Sequence, residues 1–111
     1  MNKVEKLLGF AAEHLFKEGE DNWVQVPHLD LEKGKCCMMT AIFKARIDAG
    51  LETERGLSTE AYVCLRQAIR EYDDSFKGSI AGWNDEKGRS VQEVAFVYGG
   101  AIVIAGQRYP D

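Results

Sequence analysis

The chain has 111 residues, 45% of them hydrophobic and 29% charged, with a formal net charge of −4. These values describe one globular domain, spanning 1–111, that buries a core without metal or disulfide staples. The acidic balance argues against a nucleic-acid surface, which needs clustered Lys and Arg, and three cysteines, two of them adjacent, fit reduced thiols in a cytoplasm better than a disulfide framework.

A first helix is predicted from Val4, Leu7, Leu8, Ala11, Ala12 and Leu15, whose i, i+3, i+4 spacing makes one apolar stripe. Asn2 is placed as its N-cap, with Glu5 three residues on as in a capping box, and Gly19 to stop it. The amphipathic pattern around Lys3, Glu5 and Lys6 has no apolar run of signal-peptide type. From Asp21 to Lys33 the helical period is lost. Trp23-Val24-Gln25-Val26 and Leu29-Asp30-Leu31 alternate weakly, and Pro27 disfavours a central strand. The stretch reads as a long irregular connection that lays Trp23 and Leu29 over the core.

A second helix is expected from about Lys35 to Ala49. Its apolar residues, from Cys36-Cys37-Met38-Met39 through Ala41, Ile42, Phe43, Ala45 and Ile47, go nearly all round, as in a central buried helix, and Gly50 ends it. A third opens at a Ser58 cap, with Ala61, Tyr62, Leu65, Ala68, Ile69 and Tyr72 on one face. A fourth opens at Ser90, where Glu93 completes a second capping box. Val91, Val94, Ala95, Tyr98, Ala101, Ile102 and Ala105 form its stripe, too short to span a membrane. Gly99-Gly100 interrupts that stripe at a cost of about 1 kcal/mol per glycine, which asks for a packing reason or a kink. The expected fold is all-α: a compact bundle of four principal helices with the long connection between the first two.

Ahead of the last helix, Trp83-Asn84-Asp85-Glu86-Lys87-Gly88-Arg89-Ser90 packs an aromatic, turn formers, a glycine and a cap into one short stretch. As structure, Trp83 plugs the core, Asn84 or Asp85 forms an Asx-turn, and Gly88, Ser90 and Glu93 shape the turn and cap. As a binding surface, Asn84, Asp85 and Arg89 face a partner, with Arg89 displayed on a rigid loop and contributing little to stability. Gly88-Arg89-Ser90 at a helix start also has the makings of an anion site, which the Glu93 carboxylate would contest.

Cys36 and Cys37 follow Gly34 at a predicted helix start, where a thiol pKa falls. With His28 as base, oriented by Asn84 or Asp85, either would serve a cysteine-dependent hydrolase or transferase. The plainer reading is packing, since Cys-Cys-Met-Met suits a core helix. The remaining histidine, His14, falls on the first helix. The chain has no Cys-x-x-Cys, and adjacent cysteines point about 100° apart on a helix, so no metal site and no cofactor is expected.

Two blocks carry a family resemblance. Cys37 to Ala41, together with Trp83 to Val94, resembles a domain-of-unknown-function family of small bacterial and phage proteins. Its pattern is a Cys-Ala-x-Gly-Ala-like helix start, then Trp-Asn-Asp-x-x-Gly-Arg-Thr ahead of a Glu-Val helix; Met38, Met39 and Thr40 depart from the small residues of the first block. The resemblance implies a phage or mobile-element setting and brings no activity. Lacking a complete catalytic set, the chain reads as a non-enzymatic accessory protein that binds a macromolecular partner, a protein rather than nucleic acid, in the host cytoplasm. Acidic residues around Glu52, Glu54 and Glu71-Tyr72-Asp73-Asp74 would steer the encounter.

Overall fold

The computed structural model describes residues 1–19, 21–25, 33–54 and 56–109. They form five helices: α1 (Lys3–Leu15), α2 (Met38–Asp48), α3 (Gly56–Tyr72), α4 (Ile80–Asp85) and α5 (Val91–Arg108). No strand occurs among the described residues; Trp23 and Cys36 make one isolated parallel bridge.

The stripe of α1 is buried at Val4, Leu7, Leu8, Ala11 and Leu15. Its first turn is closed by a capping box: Glu5 N–H donates to Asn2 Oδ1 at 2.8 Å, and Asn2 N–H donates to Glu5 Oε1 at 2.9 Å. The same Asn2 side chain donates through Nδ2 to the carbonyls of Ala105 (3.0 Å) and Tyr109. One amide therefore serves an orphan N–H of α1 and the orphan Tyr109 C=O at the end of α5, with a second bond to the Ala105 C=O that already holds the Tyr109 N–H. With Phe16 edge-on to Tyr98 at 5.8 Å, this fixes the two helices as antiparallel neighbours.

α2 begins three residues later than its composition suggests, because Lys35 and Cys36 are held extended. Cys36 N–H donates to Asn22 C=O at 2.9 Å and Val24 N–H to Cys36 C=O at 3.2 Å. Nor is α2 the central helix. Met38, Ala41, Ile42 and Ala45 are buried, whereas Phe43 and Ile47 are 49% and 45% exposed. α3 is the helix that meets all four others. It starts at Gly56, so Ser58 lies buried in the first turn rather than capping it. Its buried face is Ser58, Ala61, Cys64, Leu65, Ala68 and Ile69, with Tyr72 left exposed.

α4 is absent from the pattern of apolar spacings. Six residues long, it is capped by Ser79, whose Oγ accepts from Gly82 N–H at 3.0 Å, and it carries Trp83 and Asn84. The stretch read as a loop is thus helical through Asp85. α5 runs unbroken through Gly99-Gly100. Its buried face is turned slightly from expectation: Val97 and Ile104 are inside and Val91 is exposed. Gly100 meets α3, where an added Cβ would sit 3.6 Å from the Ala68 methyl, while Gly99 faces open space. Leu29 and Pro27 lie outside the described residues.

Gly50 and Gly99 separate two effects of glycine. At the end of α2, Leu51 N–H reaches Arg46 C=O (2.9 Å) and Gly50 N–H reaches Ile47 C=O (3.0 Å), a Schellman closure that needs φ +74° at Gly50. An added Cβ has free room at both glycines. Gly99→Ala is expected to stabilise the fold by about 0.5–1 kcal/mol, because only unfolded-state entropy changes. Gly50→Ala is expected to cost about 1–2 kcal/mol in left-handed strain. Urea unfolding of the two variants at one pH checks both signs.

Candidate functional site

The chemistry-bearing residues gather where α4, the start of α2 and the extended pieces around Trp23 and Cys36 meet. Asn84 is fully buried there. Its Oδ1 accepts from the Trp23 indole N–H (2.7 Å) and from the backbone N–H of Met38 (3.1 Å). Its Nδ2 donates to Val24 C=O (3.3 Å) and to Asp85 Oδ1 (2.9 Å). All four positions of the amide are filled by the protein itself. Gln25 Nε2 adds bonds to the carbonyls of Asn84 (3.0 Å) and Glu86 (2.8 Å). Asn84, read in sequence as an Asx-turn former or a binding-face residue, is a clamp inside the fold.

Met38 is held from both sides. The buried Tyr98 hydroxyl donates to its carbonyl, and burial pushes the Tyr98 phenol well above its ordinary pKa. The native cap of α2 is weak by comparison: Cys37 Sγ accepts from Thr40 N–H at 3.5 Å.

Arg89 is not displayed. Its guanidinium carbon stands 3.7 Å from the centroid of the Trp83 ring, in cation–π geometry. Nε donates to Trp83 C=O (3.0 Å), one terminal nitrogen to Glu93 Oε2 (2.8 Å) and the other to Glu86 Oε2 (2.6 Å). Only 9% of the side chain is exposed. The sequence reading failed here because stacking on Trp83 removes the arginine from solvent. Trp83 itself is buried and also meets Tyr72 edge-on at 6.1 Å.

Gly88 lies in the turn between α4 and α5 at φ +87°, and Ser90 caps α5. Glu93 N–H donates to Ser90 Oγ (3.2 Å), and Ser90 N–H donates to Glu93 Oε1 (3.0 Å). Glu93 Oε2 also accepts from the Tyr72 hydroxyl at 3.0 Å. The Glu93 carboxyl is held below the ordinary glutamate range, first by the Ser90 N–H and then by Tyr72 and Arg89. The same hydrogen bond raises the Tyr72 phenol. An anion at Gly88-Ser90 would find a carboxylate already seated on the donors.

The thiols are equally committed. Cys36, Cys37 and Cys64 are all buried. Burial, followed by the neighbouring Cys37, pushes the Cys36 thiol up to about 11, the reverse of an activated nucleophile. Burial raises Cys64 as well. His28 lies outside the described residues. His14 donates from Nε2 to Gly34 C=O at 2.6 Å and tethers the connection to α1. A Cβ on Gly34 would meet that imidazole at 3.0 Å.

Open surface chemistry lies elsewhere, in a groove of about 700 Å³ between α1 and α2, lined by Phe10, Glu13, His14, Phe16, Lys17, Ala41, Lys44, Ala45, Asp48 and Ala49. Phe10 is 48% exposed at its rim, and Phe43 and Ile47 continue the apolar surface along α2. Sequence reasoning missed this groove. The available signal was Phe10, an aromatic off the buried stripe of α1, beside Phe43 and Ile47 spaced i, i+4. No helix among the described residues is long and apolar enough to cross a membrane.

Asn84→Ala is expected to cost about 2–4 kcal/mol, because the buried Met38 N–H and the half-buried Trp23 N–H and Val24 carbonyl lose their partner together. Asn84→Asp should fare no better, since it turns a carboxylate toward the Val24 carbonyl and Asp85. Equilibrium urea unfolding measures both.

Arg89→Ala is expected to cost about 2–3 kcal/mol, with Arg89→Lys recovering only part because a planar fork is required. The companion expectation is a pH dependence. The unfolded chain protonates Glu93 at a higher pH than the folded chain does, so this stabilisation is present above the ordinary glutamate range and lost as pH falls through the folded value. The gap in unfolding free energy between wild type and Glu93→Gln should be widest at pH ~7 and close below pH ~4.

Compared with known proteins, the chain matches a family model over residues 1–103, described as a family of unknown function, DUF6197. No curated protein and no solved structure matches.

Proposed function

The chain belongs to the DUF6197 family of unknown function, and we propose that it is a non-enzymatic accessory protein that binds a protein partner through the α1–α2 groove. The observation that carries this reading is the pairing of a self-satisfied motif with an unsatisfied surface. Asn84 and Arg89 spend their polar groups inside the fold. Phe10 stands in solvent at the rim of a concave site, and Phe43 and Ile47 extend the exposed apolar surface beside it along α2. A groove between two helices with aromatic walls fits the apolar face of an amphipathic helix, read as anchors at i, i+3 or i+4. Lys44 and Asp48 on its wall form an ion pair with each other, leaving apolar contact as the main source of affinity. The net charge of −4 favours a basic partner by steering the encounter. A phage or mobile-element role in the host cytoplasm rests on the resemblance of the Trp83–Val94 block. The cysteine-dependent alternative is disfavoured by the burial of all three sulfurs.

The test uses tagged wild type, Phe10→Asp and Phe43→Asp against host lysate at low and moderate salt. Wild type should capture a stoichiometric protein. Both variants should keep far-UV circular dichroism and a melting temperature within about 4 °C of wild type, because surface substitutions cost at most about 0.5 kcal/mol, and both should lose the captured protein. Absence of a stoichiometric partner for wild type, or its retention by both variants, would overturn the reading.

A further inference from the structure

Arg46, in the last turn of α2, is a half-buried cation without a counter-ion. It makes no ion pair among the described residues, and its buried Nε has no hydrogen-bond partner. A basic residue in a last turn ordinarily serves the helix-terminal carbonyls. This guanidinium is instead drawn back one turn, 5.5 Å from the centroid of the Phe43 ring. Tyr62 of α3 lies beside it: burial raises the Tyr62 phenol, and the Arg46 charge works in the opposite direction. Four residues before Tyr62, on the same face of α3, Ser58 is only 8% exposed, and its Oγ has no partner either.

Two orphaned polar atoms on one helix–helix seam are a cost that the fold does not recover. The arginine is the heavier part of it. A neutral partner can accept from Nε, but a half-buried charge also calls for an opposite charge. Both orphans can donate, so the missing group is an acceptor that carries negative charge. The planar fork of a guanidinium matches a carboxylate bidentately. Charge selects the carboxylate over phosphate, because one arginine balances a monoanion, whereas a near-dianion would keep excess charge on a chain of net charge −4. Phe43, 49% exposed next to the guanidinium, offers apolar area to the body of such a ligand.

We infer that the α2–α3 seam binds a carboxylate, with Arg46 as its charged partner and Phe43 against the apolar body attached to it. Arg46, Ser58 and Tyr62 take no part in lining the α1–α2 groove, so either proposal can fail without the other. A free organic acid and the C-terminal carboxylate of a protein present the same chemistry.

Heteronuclear NMR titration of the full chain tests the site with benzoate, with benzamide as its neutral counterpart, and with N-acetylphenylalanine as the mimic of a chain end. Benzoate or N-acetylphenylalanine should shift the amides of Phe43, Arg46 and Tyr62 saturably, with a dissociation constant of about 1–10 mM, and the tighter of the two names the source of the carboxylate. Benzamide should leave these amides in place. Arg46→Met should melt no lower than wild type, since it removes no bond of the fold, and should weaken binding about 10-fold or more. Arg46→Lys, which keeps the charge without the fork, should bind more weakly than wild type. Phe10→Asp, on the far side of α2, should bind as wild type does. Unmoved amides in wild type at about 20 mM of either acid, an equal response to benzamide, tighter binding of inorganic phosphate, or undiminished binding by Arg46→Met or Arg46→Lys would each overturn the inference.

Discussion

The fully buried side-chain amide of Asn84 uses both lone pairs and both hydrogens in bonds to the protein itself. Its partners belong to three separate parts of the chain. Trp23 and Val24 come from the connection after α1, Met38 opens α2, and Asp85 ends α4. A buried amide satisfied on every side is costly to mismatch, so the network accepts one arrangement and penalises the rest. The bond to Met38 matters most for the architecture. It serves an N–H at the start of α2, where the local cap is only a cysteine sulfur. With the Tyr98 hydroxyl on the Met38 carbonyl, the entry of α2 is fixed by α4 and α5 instead of by its own neighbours in sequence.

A second polar unit continues from the first. Trp83, adjacent to Asn84 on α4, gives its ring face and its carbonyl to Arg89. Arg89 passes to Glu93, which closes the first turn of α5 and receives Tyr72 from the end of α3. Helices α3, α4 and α5 are thereby tied by one arginine and one carboxylate. Trp83, Asn84, Arg89, Ser90 and Glu93 each have a folding role of this kind, and Gly88 makes the turn between α4 and α5. A short motif of high apparent specificity is therefore explained by the demands of a corner where helix ends meet, with no ligand required.

This arrangement explains what could be read from the sequence. Both capping boxes were legible, because donor and acceptor lie three residues apart and the local pattern contains the whole interaction. The stripes of α1, α3 and α5 were legible for the same reason, with shifts of a residue or two in the buried face of α5. The start of α2 was not, because Cys36 is bound to Asn22 and Val24 across the connection. α4 was hidden by its six-residue length and by Gly82, which leave no period to detect. Asn84 reads in sequence as an Asx-turn former or a binding residue, and its role as a buried clamp is not legible because its partners Trp23 and Met38 lie 61 and 46 residues away. Arg89 shows the limit most plainly: its charge suggested solvent, and only the position of the Trp83 ring reveals the stack.

What folding does not explain is then confined to a few positions. Phe10, Phe43 and Ile47 on α1 and α2, and Phe96 and Val103 on α5, expose apolar area, although Phe96 leans on Tyr72 at 5.6 Å and Phe43 carries the Arg46 guanidinium at 5.5 Å. Gly99 is sharper still, since a glycine in a helix interior costs about 1 kcal/mol against alanine and here relieves no contact within the chain. Local rules that a fold breaks without internal compensation mark places where another requirement is being met. In this protein the residues that look most functional in sequence, Trp83 to Glu93, satisfy the fold. The exposed apolar residues with least rationale in the fold are Phe10 and Ile47 beside the groove, and Val103 and Gly99 on α5.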